Sequence, residues 1–184
     1  MNKKNIIIVV VVVIVVGGII WLLSTGAIPS PRSQEGTQTS EGTVVADGTS
    51  AINEEGQVLN NLGEAAKLDA EPGTPEAPQQ SNPVSAEDLP SSVIKLTMTE
   101  TGITPGTFEV RAGQAVTISV TAGGSQTHVF KFDDASLNAV AVGVGPGETR
   151  AITFNAPSAK GEYGFHCDVP GHAGRGETGT MIVK

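Results

Sequence analysis

Hydrophobic and polar positions divide the 184-residue chain into three stretches of different character. Residues 6–23 are apolar throughout apart from Gly17 and Gly18, with Lys3 and Lys4 ahead of them and Trp21 near the far end. A run of this length approaches the roughly 20 apolar residues that cross a hydrocarbon core as a helix, and flanking lysines favour the cytoplasmic side. The pattern predicts a single-pass transmembrane anchor at 6–23 in the cell membrane, a cytoplasmic end at 1–5, and an extracytoplasmic, periplasm-like location for everything after it. A cleavable leader ending near Thr25 and Ala27 is the competing reading, which the length of the apolar run disfavours.

Residues 24–90 contain no aromatic side chain and few large aliphatic ones, and are rich in Ser, Thr, Gly, Pro, Gln and acids. Such a stretch buries too little apolar surface to offset the entropy of ordering it, so a disordered linker is expected. In residues 91–184 the pattern changes to short alternating segments at 93–98, 107–111, 115–121, 127–132, 139–142, 149–154, 162–167 and 178–184. Turn signals such as Pro105-Gly106, Gly145-Pro146-Gly147 and Ala156-Pro157 separate them. Alternation at period two, broken by Gly and Pro, predicts an all-β sandwich.

The formal net charge of −8 narrows the partners only after it is located. Acids outnumber bases eleven to two in 24–90, but eight to seven in 91–184, so the acidity belongs to the expected linker. No basic face is available to neutralise phosphates, which excludes nucleic acid as a partner.

The chain has one cysteine and three histidines. Cys167 and His172 lie in the loop-forming stretch Cys167-Asp168-Val169-Pro170-Gly171-His172, and His128 opens an earlier strand after a polar loop. A thiolate and two imidazoles brought to one point form the donor set of a trigonal copper site. Metal ligation also explains an unpaired thiol in an oxidising compartment, where a single cysteine has no disulfide partner. His166 adjoins Cys167 on the strand and so points to the opposite face, as a surface or core-edge histidine. Asp168 and Arg175 flank the loop and are placed to pair with each other at the surface.

These residues resemble a known family. Thr127-His128-Val129-Phe130-Lys131-Phe132, Pro146-Gly147-Glu148-Thr149, Tyr163-Gly164-Phe165-His166-Cys167 with its Pro170-Gly171-His172 loop, and Gly179-Thr180-Met181-Ile182-Val183 are similar to the motifs of the cupredoxins, small blue copper proteins of the plastocyanin, halocyanin and sulfocyanin kind. The resemblance covers about 93–184. It implies an eight-stranded Greek-key sandwich, one copper held near one end by His128, Cys167 and His172, and electron transfer through the edge of His172. Relatives carry a methionine after that histidine as a weak axial ligand; here Glu177 follows His172-Ala173-Gly174-Arg175-Gly176, and Met181 lies too far along the closing strand to substitute. An axial carboxylate at Glu177 stabilises Cu(II) and lowers the reduction potential; a Glu177 swung into solvent would leave three ligands.

The resulting expectation is a membrane-tethered electron carrier exchanging electrons with membrane-bound or soluble redox proteins, with no catalytic residues of its own. Two alternatives stay open. One is a copper enzyme, or a site binding nitric oxide or oxygen; the other is a copper or zinc protein without redox role, since Cys, two His and Glu also make a tetrahedral zinc set.

Overall fold

In the computed structural model, which describes residues 42–184, the alternating segments become nine strands. They are β1 (Ile94–Thr99), β2 (Gly102–Thr104), β3 (Thr107–Val110), β4 (Ala115–Ala122), β5 (His128–Phe132), β6 (Ala141–Val144), β7 (Thr149–Asn155), β8 (Gly161–Cys167) and β9 (Thr178–Val183). The eight expected segments are present with ends moved by a residue or two. The ninth, β2, is a three-residue strand pairing antiparallel with β1.

The strands form two sheets, ordered β2-β1-β4-β7 and β3-β9-β8-β5-β6. Pairs β1/β4 and β3/β9 are parallel and the others antiparallel. The connections β2–β3, β3–β4, β4–β5, β6–β7 and β7–β8 each cross from one sheet to the other, so both inner faces share one core. All five phenylalanines of the chain lie in it: Phe108, Phe130, Phe132, Phe154 and Phe165. Phe165 is its centre, with ring centroids 5.1 Å from Phe130, 5.6 Å from Phe108 and 6.1 Å from Phe132. Rings at these separations add to the burial of apolar area that holds the sheets together.

The predicted anchor at 6–23 and the part of the expected linker at 24–41 lie outside the described residues. Among those described, no helix is long and apolar enough to cross a membrane. Residues 42–90 differ from the disordered linker the composition suggests. They run as a strap of tight turns laid on the sandwich, with isolated bridges at Thr43–Ile52, Ile52–Val58, Leu59–Ala65 and Gln80–Ile152. Asn155 of β7 binds the strap twice, accepting from Val58 N–H at 2.8 Å and donating to Gly56 O at 2.9 Å. Ser81 N–H donates to Ala151 O at 2.7 Å and Val84 N–H to Thr149 O at 2.9 Å, so the strap follows β7 along its length. Val58, Ala77 and Ser81 are buried. The stretch cannot make a core of its own, but hydrogen bonds to an existing sandwich, together with apolar contacts of Ala46 and Leu89 with Val93 and Ala151, order it.

Candidate metal centre

Three inward-facing rows of the five-stranded sheet end at one point. His128 opens β5 and shares its buried face with Phe130 and Phe132. Cys167 ends β8 two positions beyond Phe165, on that residue's face. Glu177 stands directly before β9, with the parity of buried Met181 and Val183. Because β9, β8 and β5 are neighbours, side-chain alternation along them brings these three residues to the same end of the sheet, as one layer of donor atoms capping the apolar core. Backbone ladders continue past the strand ends and fix the layer: Cys167 N–H donates to Glu177 O at 3.0 Å and Asp168 N–H to Val129 O at 2.8 Å.

The loop between β8 and β9 supplies the fourth donor. His172 N–H donates to Val169 O at 3.0 Å across Pro170 and Gly171, and Gly171 takes φ 84°. A short 3-10 turn, Ala173–Arg175, follows and ends at Gly176, whose φ of 100° is a left-handed conformation that glycine adopts without strain. That reversal turns the next side chain, Glu177, inward.

His128, Cys167, His172 and Glu177 therefore all meet, their donor atoms lying within 4.8 Å of one another. Cys167 Sγ is 3.5 Å from His172 Nδ1 and 3.8 Å from His128 Nδ1. Glu177 Oε2 is 2.7 Å from His128 Nδ1 and 3.1 Å from His172 Nδ1. Metal–ligand bonds of about 2.0–2.3 Å place tetrahedral donors about 3.3–3.7 Å apart, so the set needs only small outward movements, mainly of the carboxylate, to close on one ion. The chemistry fits as well: one thiolate and two imidazoles suit copper, and the carboxylate occupies the position where relatives carry methionine. Glu177 is turned into the site and not into solvent, being 0% exposed.

The electrostatics prepare the donors unequally. Burial pushes the Cys167 thiol above its ordinary value, an effect that N–H groups of Val129 and Val169 oppose and the Glu177 carboxylate reinforces. For Glu177 burial also acts upward, but hydrogen bonds with His128, Cys167, Arg175 and His172 outweigh it and hold the carboxyl below its ordinary range. Val129 N–H lies 3.4 Å from Cys167 Sγ, a donor aimed at the sulfur. His128 Nε2 is buried without a hydrogen-bond partner among the described residues, so the Nδ1 contacts and packing hold that ring.

Flanking residues are arranged differently from expectation in one respect. His166 does point away from the donor layer, where its Nδ1 meets Asp133 Oδ1 and its Nε2 lies 3.5 Å from Asp168 Oδ1. Asp168 thus pairs with His166 and not with Arg175, because Asp168 continues the outer side of β8 whereas Arg175 lies on the 3-10 turn. Arg175 Nη2 instead reaches Glu177 Oε1 at 3.2 Å and Gln126 Oε1 at 2.9 Å. Gln126 carried no sequence signal, since its role depends on the loop before β5 meeting the loop after β8.

Comparison with known proteins agrees with this geometry. Residues 78–183 match the family model of the cupredoxin-like domain, and the chain belongs to that family. Its members hold one copper, and the His-Cys-His-Glu group fits such a site with glutamate in place of methionine. Over 88 residues the chain is 36% identical to chloroplastic plastocyanin of Hordeum vulgare, covering 44% of this chain and 53% of that protein. It is 36% identical over 89 residues to plastocyanin B'/B'' of Nicotiana tabacum, covering 44% of this chain and 85% of the relative. The chain thus spans about half the length of the barley protein and most of the tobacco one. Among solved structures it is similar to dithionite-reduced auracyanin from the photosynthetic bacterium Roseiflexus castenholzii, at 25% identity and a TM-score of 0.46, covering 51% of this chain and 98% of that one. The family match begins at residue 78, within the strap, so the folded unit starts well before the boundary at 91 drawn from composition.

Proposed function

We propose that this protein is an electron carrier held at the outer face of the cell membrane by its apolar segment, exchanging electrons with membrane-bound or soluble redox proteins. One observation carries the reading: the His172 side chain is 9% exposed, whereas those of His128 and Glu177 are 0% exposed. A single ligand edge reaches the surface from an otherwise sealed set. Copper bound there supplies a one-electron Cu(II)/Cu(I) couple.

The residues then divide the work. Ladder bonds at Cys167 and Asp168 hold the β8 end, and the Gly171 and Gly176 turns hold the loop, so the donors keep one arrangement in both oxidation states. Burial of Cys167 and Glu177 excludes water and exogenous ligands, which favours a carrier over an enzyme needing an open position. His172, flanked by Pro170, Gly171, Ala173 and Gly174, gives a partner a small-residue patch to approach closely. Support for the location is the apolar run 6–23 with its preceding lysines. Residues 24–41 between that run and the described unit span at most about 60–65 Å at full extension, which keeps the centre close to membrane-bound partners.

Copper titration of the full chain in detergent, read by visible absorption and electron paramagnetic resonance, tests the proposal. An intense thiolate-to-copper band that bleaches reversibly on reduction and ignores azide supports the carrier. A band altered by azide or nitric oxide favours the enzyme or gas-binding alternative. Tight zinc binding without a stable copper chromophore removes the redox role, and recovery of the chain from the soluble cell fraction removes the tether.

A further inference from the structure

The two oxygens of the Glu177 carboxylate have different surroundings. Oε2 faces the imidazoles of His128 and His172, at 2.7 Å and 3.1 Å, while Oε1 faces outward and accepts from Arg175 Nη2 at 3.2 Å. The Arg175 side chain is 43% exposed, so a surface cation reaches inward to a carboxylate with no exposure of its own. Gln126 Oε1 accepts from the same Nη2 at 2.9 Å. The residue before it, Ser125, is anchored to Glu100, whose Oε1 accepts from Ser125 N–H at 3.0 Å. That approach is open because residue 124 is glycine: a Cβ there would lie 2.5 Å from Glu100 Oε2. The loop preceding His128 is thus tied at Ser125 to the β1–β2 turn, and its next residue, Gln126, shares the Arg175 guanidinium with the outer oxygen of Glu177.

We propose that Arg175 is a positioning residue for the metal centre: it holds Oε1 outward, restricts Glu177 to one-oxygen presentation, and thereby raises the reduction potential above what a free carboxylate would give. This rests on Glu177 being a metal ligand. A carboxylate can offer one oxygen or two, and a buried one settles on whichever arrangement satisfies its lone pairs. The guanidinium satisfies Oε1 by a charge-assisted bond and withdraws electron density from the group. It also places positive charge near a site whose oxidised state is the more positive, which favours the reduced state. Gly176 makes the contact possible, since its left-handed turn lets side chains only two positions apart converge. Gln126 keeps the guanidinium from drifting into water.

The test uses the full-length, copper-loaded protein and compares Arg175→Ala, Arg175→Lys and Gln126→Leu, each also in a Glu177→Met background. Arg175→Ala is expected to favour Cu(II) over Cu(I) by at least tenfold, which for a one-electron couple lowers the potential by about 59 mV. Its copper hyperfine splitting should change in the same sample. Arg175→Lys, retaining the charge, should recover part of the potential, and Gln126→Leu should shift it in the direction of Arg175→Ala by less. In the Glu177→Met background the hyperfine response to Arg175→Ala should vanish. Unchanged potential and splitting in Arg175→Ala overturn the proposal, as does an equal response with and without the Glu177 carboxylate, which would make Arg175 a bare surface charge. If Glu177→Met itself leaves the spectrum unaltered, the ligand assignment falls and the positioning role falls with it. Copper binding and the carrier reading survive that result.

Discussion

Glu177 Oε2 lies 2.7 Å from His128 Nδ1, although the two residues are 49 positions apart and neither side chain is exposed. Two buried polar groups this close depend on each other when no metal is bound. Truncating Glu177→Ala leaves His128 Nδ1 without its nearest partner, and an unsatisfied buried group costs about 1–3 kcal/mol. Urea unfolding of the metal-free protein should show that loss. A midpoint equal to the parent's would mean that the contact contributes nothing to the fold.

Glu177→Met gives the converse experiment on the loaded protein. Exchanging an anionic oxygen donor for a thioether favours Cu(I), so the potential should rise, by at least about 59 mV if the preference moves tenfold. Redox titration followed at the thiolate-to-copper band measures it. No change would place the carboxylate outside the coordination sphere.

Copper uptake should release a proton from Cys167. Burial holds the thiol above its ordinary value in the metal-free protein, so at neutral pH it binds the metal only by losing its proton. Glu177, held below the carboxylate range, is already ionised and releases none. Apparent affinity should therefore climb about tenfold per pH unit through the neutral range. A pH-stat titration counts the protons directly, and Cys167→Ser should abolish the intense absorption band.

Acid stability should depend on three carboxyls outside the site. Glu100 is held low by its own backbone N–H and that of Ser125, Asp134 by Ser136 N–H, and Glu148 by Gly145 N–H and Arg150. Each binds a proton more weakly in the folded chain than in the unfolded one. Their contribution is therefore present above the unfolded carboxyl values near 4 and disappears as pH falls through the lowered folded values. Glu100→Gln, Asp134→Asn and Glu148→Gln combined should flatten the acid limb of a stability–pH curve. A limb as steep as the parent's would assign it to other groups.

Asn155→Ala should loosen the strap while sparing the centre. It removes the bonds to Val58 N–H and Gly56 O, each net worth about 0.5–1.5 kcal/mol. Limited proteolysis should then cut between residues 42 and 77 faster than in the parent, with the copper spectrum unaffected. Resistance equal to the parent's would show that other contacts hold this segment.

Much of the centre was legible because it obeys alternation. His128 shares parity with Phe130 and Phe132, and Cys167 with Phe165, so the pattern that identifies the strands also turns these donors inward. Glu177 follows the same rule from Met181 and Val183. β2 has no sequence signature, because Gly102-Ile103-Thr104 is too short to show a period. The strap departs from its composition for a different reason: composition reports whether a segment can make its own core, and this one is ordered by hydrogen bonds to strands about 70–100 positions later in the chain and by apolar contacts with the sandwich. The contact of Arg175 with Glu177 and Gln126 depends on two loops meeting in space, for which sequence has no local signature.

β7 is the outermost strand of its sheet, and its far side carries N–H and C=O groups that β4 cannot reach. Ser81 and Val84 supply partners for Ala151 and Thr149 on that side. A chain cut at residue 91 would retain all nine strands and all four donors, yet would offer this rim as a template on which a second copy could add. The strap is thus a self-supplied edge guard for the four-stranded sheet, and it begins far upstream of every residue that offers a metal donor.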